Sequence, residues 1–279
     1  MIWKGRRPSD NVEDARGGRG KGLAAGGLGT LVLVLAIYFL GGDPASVLNT
    51  MQDNTVQTSK YEGTAQENEL AEFVSVVLAD TEDVWTDLFR KEGSAYIMPK
   101  LVIYLGNVES ACGRGEKSTG PFYCPADSSI YIDLSFYDEL RDRFKVSGDF
   151  AMAYVIAHEV GHHVQKLAGT SRKVMSLRSR LSENEFNKYL VRLELQADYY
   201  AGVWAHYAEK MKLLEEGDLE EALNAASAVG DDRIQKNARG YVVPDSFTHG
   251  TSGQRVKWFN RGFQSGSIKD GDTFNVGDL

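Results

Sequence analysis

The sequence feature that most constrains this chain is the stretch YVIAHEVGHHVQ, residues 154–165. It contains His158, Glu159 and His162 in the spacing H-E-x-x-H. Residues four positions apart lie on one face of a helix, so the two histidines can offer both imidazoles to one ion. Glu159 follows about 100° further round the helix, where its carboxylate can reach a metal-bound water. The pattern predicts a zinc site with a general base. A pair of buried histidines, or a zinc site without activity, is the alternative.

A third protein ligand must come from another segment. Gln165 and Ala168 stand where a metzincin would have a glycine and a third histidine, which excludes that class. A later apolar stretch, RLELQADYYAG, instead contains Glu194 and Asp198, four residues apart. Buried carboxylates need a metal or a partner. We therefore predict that Glu194 binds the zinc and that Asp198 orients a histidine ligand through its free ring N–H.

Residues 22–42 form an uncharged segment that is apolar almost throughout from 30 to 40. Some twenty helical residues span roughly 30 Å, the thickness of the hydrocarbon core of a bilayer. Six basic residues precede the segment, and the next one is Lys60. This asymmetry predicts a transmembrane anchor with the N-terminus in the cytoplasm and the bulk of the chain outside. A cleaved signal peptide is disfavoured by the length of the segment and the lack of an A-x-A site, and a buried core helix is the other alternative.

The rest of the chain reads as one α+β domain, dominated by helices and containing a small sheet. We assign residues 1–21 to a cytoplasmic N-terminal segment, 22–42 to the anchor and 43–66, which are polar and weakly patterned, to a linker. Residues 67–279 then form the domain, for which 279 residues in total leave ample length.

Local signals place several elements of this domain. The stretch SSIYIDLSF, residues 128–136, alternates apolar and polar side chains and predicts a strand. Ser182 with Glu185 forms a capping-box pattern that opens a long helix. Asp218 with Glu221 repeats this pattern before LEEALNAASAVGDD.

Charge and cysteine content limit the possible partners and compartments. The net charge of -8 and the lack of a basic patch after residue 21 argue against nucleic-acid binding. Cys112 and Cys124 are the only cysteines. Outside the cytoplasm they can form a disulfide, whose short loop is worth roughly 3 kcal/mol. Two free thiols are the alternative, and zinc binding by this pair alone is disfavoured because no second pair or nearby histidine completes a site.

The chain resembles the bacterial putative neutral zinc metallopeptidases, a gluzincin-like family. The resemblance rests on RRPSDNVEDARG, ACG…GPFYCPADSSIYIDLSF, AHEVGHHVQ, ELQADYYAGVWA, EEALNAASAVGDDR and VVPDSFTHGTSGQRVKWF, which together extend over nearly the whole chain. It implies a single-pass membrane protein with a zincin-like metallopeptidase domain that binds one zinc ion. It implies no particular substrate.

Two further features are compared with gluzincins. In that clan an edge strand just before the active helix binds the substrate backbone, and residues 128–136 stand in this position, where they could pair with a peptide. An ordinary core strand is the alternative. His249 or Arg255 could stabilise the oxyanion that forms when water attacks a peptide carbonyl. A structural histidine and a surface arginine are the alternatives.

Together these observations predict a membrane-anchored, extracytoplasmic zinc endopeptidase with Glu159 as general base. Its partners would be a protein or peptide substrate and, through residues 22–42, the cell membrane. The competing hypothesis is a membrane-tethered binding or regulatory module with a structural or vestigial zinc site. The sequence leaves the substrate, the cleavage preference and the oligomeric state open.

Overall fold

The computed structural model describes residues 1–17 and 61–279. In this part the chain is α+β and rich in helices, as the sequence predicts. The elements, in chain order, are β1 (Val12–Asp14), α1 (Ala65–Lys91), β2 (Lys100–Tyr104), β3 (Asn107–Ser110), β4 (Gly113–Glu116), β5 (Phe122–Cys124), β6 (Ser129–Asp133), α2 (Phe136–Asp142), α3 (Asp149–Leu167), α4 (Thr170–Met175), α5 (Glu183–Lys210), α6 (Asp218–Ala228), α7 (Asp231–Arg239) and α8 (Ser252–Ser265).

A four-stranded sheet lies on one side of the helices, with the strand order β1-β2-β6-β5. Strands β1, β2 and β6 are parallel, and β5 runs antiparallel to β6. All five residues of β6 are buried, as expected for a strand with a neighbour on each edge. The expectation that residues 128–136 form the substrate-binding edge is therefore wrong, because β2 and β5 occupy both edges of β6. The edge strand that precedes the active helix is β5.

Helix α3, which carries the H-E-x-x-H pattern, runs through the centre of the helical layer. Fifteen of its 19 residues are buried, which fits a helix that is apolar on nearly all faces. It packs against α5 and α6, and α1 lies on a further side. A Cβ atom added at Gly161 would lie 2.9 Å from the carbonyl oxygen of Ala197. Only glycine permits this close crossing of α3 and α5, which brings their polar side chains together.

Residues 1–17 pack on the domain. The ring of Trp3 meets that of Phe73 edge to face at 5.4 Å, and the backbone of β1 pairs with β2. Ser9 Oγ and Asn11 Nδ2 both donate to Oε1 of the buried Glu82. The assignment of residues 1–21 to a separate segment is thus corrected for residues 1–17, whose buried side chains and strand pairing make them part of the domain.

The proposed anchor and most of the linker lie outside the described residues. Within residues 1–17 and 61–279, no helix is both long enough and apolar enough to cross a bilayer. Helix α1 begins at Ala65, two residues before the expected start of the domain. Cys112 and Cys124 form a disulfide that links the end of β5 to the loop between β3 and β4.

Candidate metal centre

Three metal-ligand side chains meet where α3 crosses α5. His158 and His162 come from α3 and Glu194 from α5, and one ligand atom of each lies within 4.8 Å of the others. His158 Nε2 is 3.2 Å from Glu194 Oε2, and His162 Nε2 is 3.5 Å from Glu194 Oε1. We call these three residues the metal cluster. The spacing of four residues and the close helix crossing at Gly161 together produce it.

The other ring nitrogen of each histidine is bonded outside the cluster. His158 Nδ1 lies 2.9 Å from Asp198 Oδ1, and since a carboxylate only accepts, Nδ1 carries the hydrogen. His162 Nδ1 lies 2.9 Å from Gln165 Oε1, while Gln165 Nε2 donates to the Leu193 carbonyl at 2.6 Å. Both Nε2 atoms therefore face the metal cluster and are the ring atoms that can bind a metal.

The geometry of the metal cluster fits zinc. Ligands about 2.0–2.1 Å from a tetrahedral ion lie about 3.3 Å from one another. The nitrogens of His158 and His162 lie 3.2 and 3.5 Å from Oε2 and Oε1 of Glu194, respectively, which is close to this value. Two histidines and a glutamate are also one of the known ligand sets of catalytic zinc, which leaves one position for water or substrate.

Glu159 lies beside the metal cluster without belonging to it. Its side chain is buried and lines the same cleft as the three ligands. Burial raises the pKa of Glu159, an effect that the neighbouring His162 and His158 oppose. A carboxylate with a raised pKa is better suited to accept a proton near neutral pH.

Asp198 joins the metal cluster to a buried arginine. Its Oδ1 accepts from His158 and, at 2.6 Å, from the hydroxyl of Tyr154. Arg255 Nε donates to Oδ2 at 2.8 Å and Nη2 to Oδ1 at 2.9 Å. Burial works to raise the pKa of Asp198, but Arg255 and His158 lower it to about 2. Asp198 is therefore a carboxylate that holds the ring of His158 in place.

Arg255 is not a surface arginine, since it is 4% exposed. Its pairing with Asp198 was not predicted from the sequence, where Arg255 was a candidate only for oxyanion binding. Residues 57 positions apart on different helices leave no local sequence signal for such a contact.

His249 faces the cleft from the other side, on the loop before α8. Its Nδ1 lies 3.2 Å from Oδ1 of Asp231, and the backbone N–H groups of Thr248, His249 and Gly250 donate to Oδ2 of the same carboxylate. Burial lowers the pKa of His249, but Asp231 and Glu194 raise it above its usual value. His249 thus lines the same cleft as the metal cluster. Its partner Asp231 was not predicted from the sequence.

The metal cluster, Glu159 and His249 share one cleft with a volume of about 610 Å³. Strand β5 contributes Phe122 and Tyr123 to one wall. Apolar side chains form much of the remainder, among them Phe136, Phe144, Val155, Leu193, Val229 and Ile234. A cleft that is mostly apolar, with a few convergent polar groups, is typical of a substrate-binding site.

An H-E-x-x-H helix joined by a glutamate from a later helix is the ligand arrangement of a zinc metallopeptidase. Comparison with known proteins specifies the family. The model of the family described as "Putative neutral zinc metallopeptidase" matches residues 1–274, and the chain belongs to this family.

Relatives of this chain are found in Escherichia coli and in mycobacteria. "Uncharacterized protein YpfJ" of Escherichia coli (strain K12) is 52% identical over 284 residues, which cover 98% of this chain and 99% of the relative. "Uncharacterized protein Rv2575" of Mycobacterium tuberculosis (strain ATCC 25618 / H37Rv) is 38% identical over 259 residues, which cover 86% and 85%. No solved structure matches this chain.

Proposed function

We propose that the protein is a zinc-dependent endopeptidase that hydrolyses peptide bonds with Glu159 as general base. The observation that carries this proposal is the position of Glu159, a buried carboxylate in the cleft beside the metal cluster. Bound by His158, His162 and Glu194, one zinc ion would supply a Lewis acid that polarises the scissile carbonyl and acidifies water.

The chain's own residues would carry the remaining steps. Glu159 takes a proton from the attacking water and delivers it to the leaving amine. His249 donates from Nδ1 to Asp231, which raises the pKa of its ring, and the protonated ring then carries an Nε2–H that can donate to the oxyanion. Asp198 keeps the His158 ring in the orientation that presents Nε2 to the metal. Within the described residues β5 pairs only with β6, so its other edge could pair with an extended substrate backbone.

The test compares the purified protein with its Glu159→Gln variant on fluorescently labelled casein, an unfolded protein substrate. We expect the variant to keep one zinc per chain and to lose about 10²- to 10⁴-fold in cleavage rate. Glu216→Gln, the same change at an exposed position, should cleave like the wild type. Equal cleavage by the Glu159 variant would contradict the proposal. Zinc and casein binding by the wild type without cleavage would favour the binding-module alternative.

We also propose that the domain acts outside the cytoplasm and is attached to the membrane through residues 22–42. The disulfide between Cys112 and Cys124 supports an oxidising compartment. The packing of residues 1–17 on the domain supports their location on the same side of the membrane as the domain, so residues 22–42 would attach the protein without crossing the bilayer.

Thiol labelling in intact cells would test this location. Ile2 is 51% exposed and Lys269 is exposed on the domain, and the native cysteines are paired. We expect Ile2→Cys and Lys269→Cys both to react with a membrane-impermeant maleimide in intact cells. Labelling of Ile2→Cys only after lysis would place residues 1–17 in the cytoplasm. Failure of both variants to react before lysis would contradict the extracytoplasmic location.

A further inference from the structure

Strand β5, which forms part of the cleft wall, is held by a different contact at each of its three residues. The ring of Phe122 stacks on Tyr131 with centroids 4.8 Å apart and planes 9° apart. Cys124 forms the disulfide with Cys112. Between them, the hydroxyl of Tyr123 lies 2.9 Å from Nδ1 of His163 on α3. The stacking ties β5 to β6, and the disulfide ties it to the loop between β3 and β4. Of these three contacts, only that of Tyr123 ties β5 to α3, the helix that carries His158 and His162.

His163 has both ring nitrogens engaged although it is only 1% exposed. Its Nε2 lies 2.5 Å from the carbonyl oxygen of Ile97, which can only accept, so Nε2 carries the hydrogen. Nδ1 then accepts from the hydroxyl of Tyr123. The rings of Tyr96 and Tyr123 also meet the imidazole edge to face, at 5.7 and 5.4 Å. These two hydrogen bonds and two ring contacts hold the imidazole of His163 in place.

His163 directly follows the metal-cluster residue His162 on the same helix. Successive helical residues are about 100° apart, so the two side chains point to different surroundings. His162 faces Glu194, and His163 faces the sheet. One turn of α3 therefore carries a metal ligand, His162, and also contacts β5 through His163. Simple packing at this position would need only an apolar side chain, whereas a satisfied buried polar network fixes direction and distance.

We propose that His163 is a positioning residue that sets the distance between the β5 edge and the metal cluster, and thereby the affinity for substrate backbone. The inference rests on the proposed function, in which β5 pairs with the peptide. It assigns a role to the histidine that directly follows the H-E-x-x-H motif. His163 would act on substrate binding through Tyr123, without touching the substrate or the metal.

The test uses Tyr123→Phe, which keeps the ring and removes only the hydroxyl, together with His163→Gln. We expect both variants to raise KM for labelled casein about three- to tenfold, the range for one lost hydrogen bond. Neither variant should change kcat by more than about twofold, since the reacting groups are untouched. The zinc content should remain one per chain. His206→Gln is the matched control, because His206 also bonds a backbone carbonyl, that of Phe263, but lies outside the cleft lining.

Amide hydrogen exchange gives a second readout that does not depend on cleavage. We expect faster exchange in β5 of Tyr123→Phe and unchanged exchange in α3. An unchanged KM, or a fall in kcat together with a loss of zinc, would overturn the inference in favour of a purely structural histidine. If the wild type fails to cleave casein, the proposed function fails separately. Casein binding by Glu159→Gln, with and without Tyr123→Phe, and the exchange of β5 then decide the role of His163.

Discussion

Helix α3 contributes to two clusters of three possible metal ligands, and only one of the two already contains a positively charged group of the chain. The metal cluster lies in the middle of the helix, and an acidic cluster of Asp149, Asp218 and Glu221 lies at its first turn. In both, one ligand atom of each residue lies within 4.8 Å of the others. In the acidic cluster, however, the ammonium of Met1 lies 2.6 Å from Asp149 and 3.3 Å from Asp218.

The difference shows that closeness of ligand-type residues does not define a metal site. The acidic cluster already contains a cation from the chain, and Glu221 also accepts from the backbone N–H of Phe150 at 3.0 Å. The histidines of the metal cluster have their Nδ1 atoms bonded to Asp198 and Gln165 instead. Their Nε2 lone pairs are thereby directed to a common point, which is what a transition metal requires.

The largest expected difference between the clusters is in zinc binding. Glu194→Ala removes a ligand and should weaken zinc binding by more than the roughly 10- to 100-fold typical of groups that only orient ligands. The matched change in the acidic cluster, Glu221→Ala, should leave one zinc per chain. Zinc content after dialysis, followed by titration against a competing chelator, measures both. Zinc retained by Glu194→Ala, or lost from Glu221→Ala, would reverse the assignment of the two clusters.

Asp198 should affect both metal binding and stability. Asp198→Ala should weaken zinc binding roughly 10- to 100-fold, because His158 loses the acceptor that orients it. It also leaves Arg255 buried without its carboxylate, which should lower the free energy of unfolding of the metal-free protein by about 3–5 kcal/mol. Urea denaturation measures this loss. The double variant Asp198→Leu with Arg255→Met should recover much of the stability but none of the zinc affinity, and recovery of both would exclude an orienting role.

Zinc binding to the metal cluster should also depend on pH, because the metal cluster contains histidines and the acidic cluster contains none. Burial works to lower the pKa of His158, but Asp198 and Glu194 raise it to about 9 in the metal-free protein. Zinc must displace this proton, so the apparent affinity should fall about tenfold per pH unit as pH decreases below 9. Chelator competition at pH 6, 7 and 8 measures the slope. A flat profile would mean that His158 is neutral before the metal binds.

The smallest effect concerns the ammonium in the acidic cluster. Burial works to lower the pKa of the Met1 ammonium, but Asp149, Glu215 and Asp218 raise it above its usual value near 8. A raised pKa contributes stability that is complete below pH 8 and is lost as pH rises through the folded-state value. We expect the free energy of unfolding to fall as the pH rises above 8. Acetylation of the amino group should abolish this decrease, and persistence of the decrease would assign it to another group.

The local spacing of the sequence was sufficient to identify the residues of α3 that form the site. His158, Glu159 and His162 follow from the helical repeat, which does not depend on the rest of the fold. The capping box of Ser182 and Glu185 forms at the predicted start of α5 for the same reason, because both partners lie within one turn. The apolar surroundings of Glu194 were enough to indicate that it faces the interior.

Tertiary structure decided the contacts between distant parts of the chain. Asp218 shows this most clearly, because its sequence predicts a cap like that of Ser182. Helix α6 begins at Asp218, but Gly217 is its N-cap residue and Asp218 is paired with the ammonium of Met1. The strand order that makes β5 the edge, and the pairing of Arg255 with Asp198, likewise join residues with no fixed spacing. A local sequence pattern predicts the partner of a buried charged residue only where no group from a distant segment binds that residue instead. Tertiary packing determines which distant groups come close enough to do so.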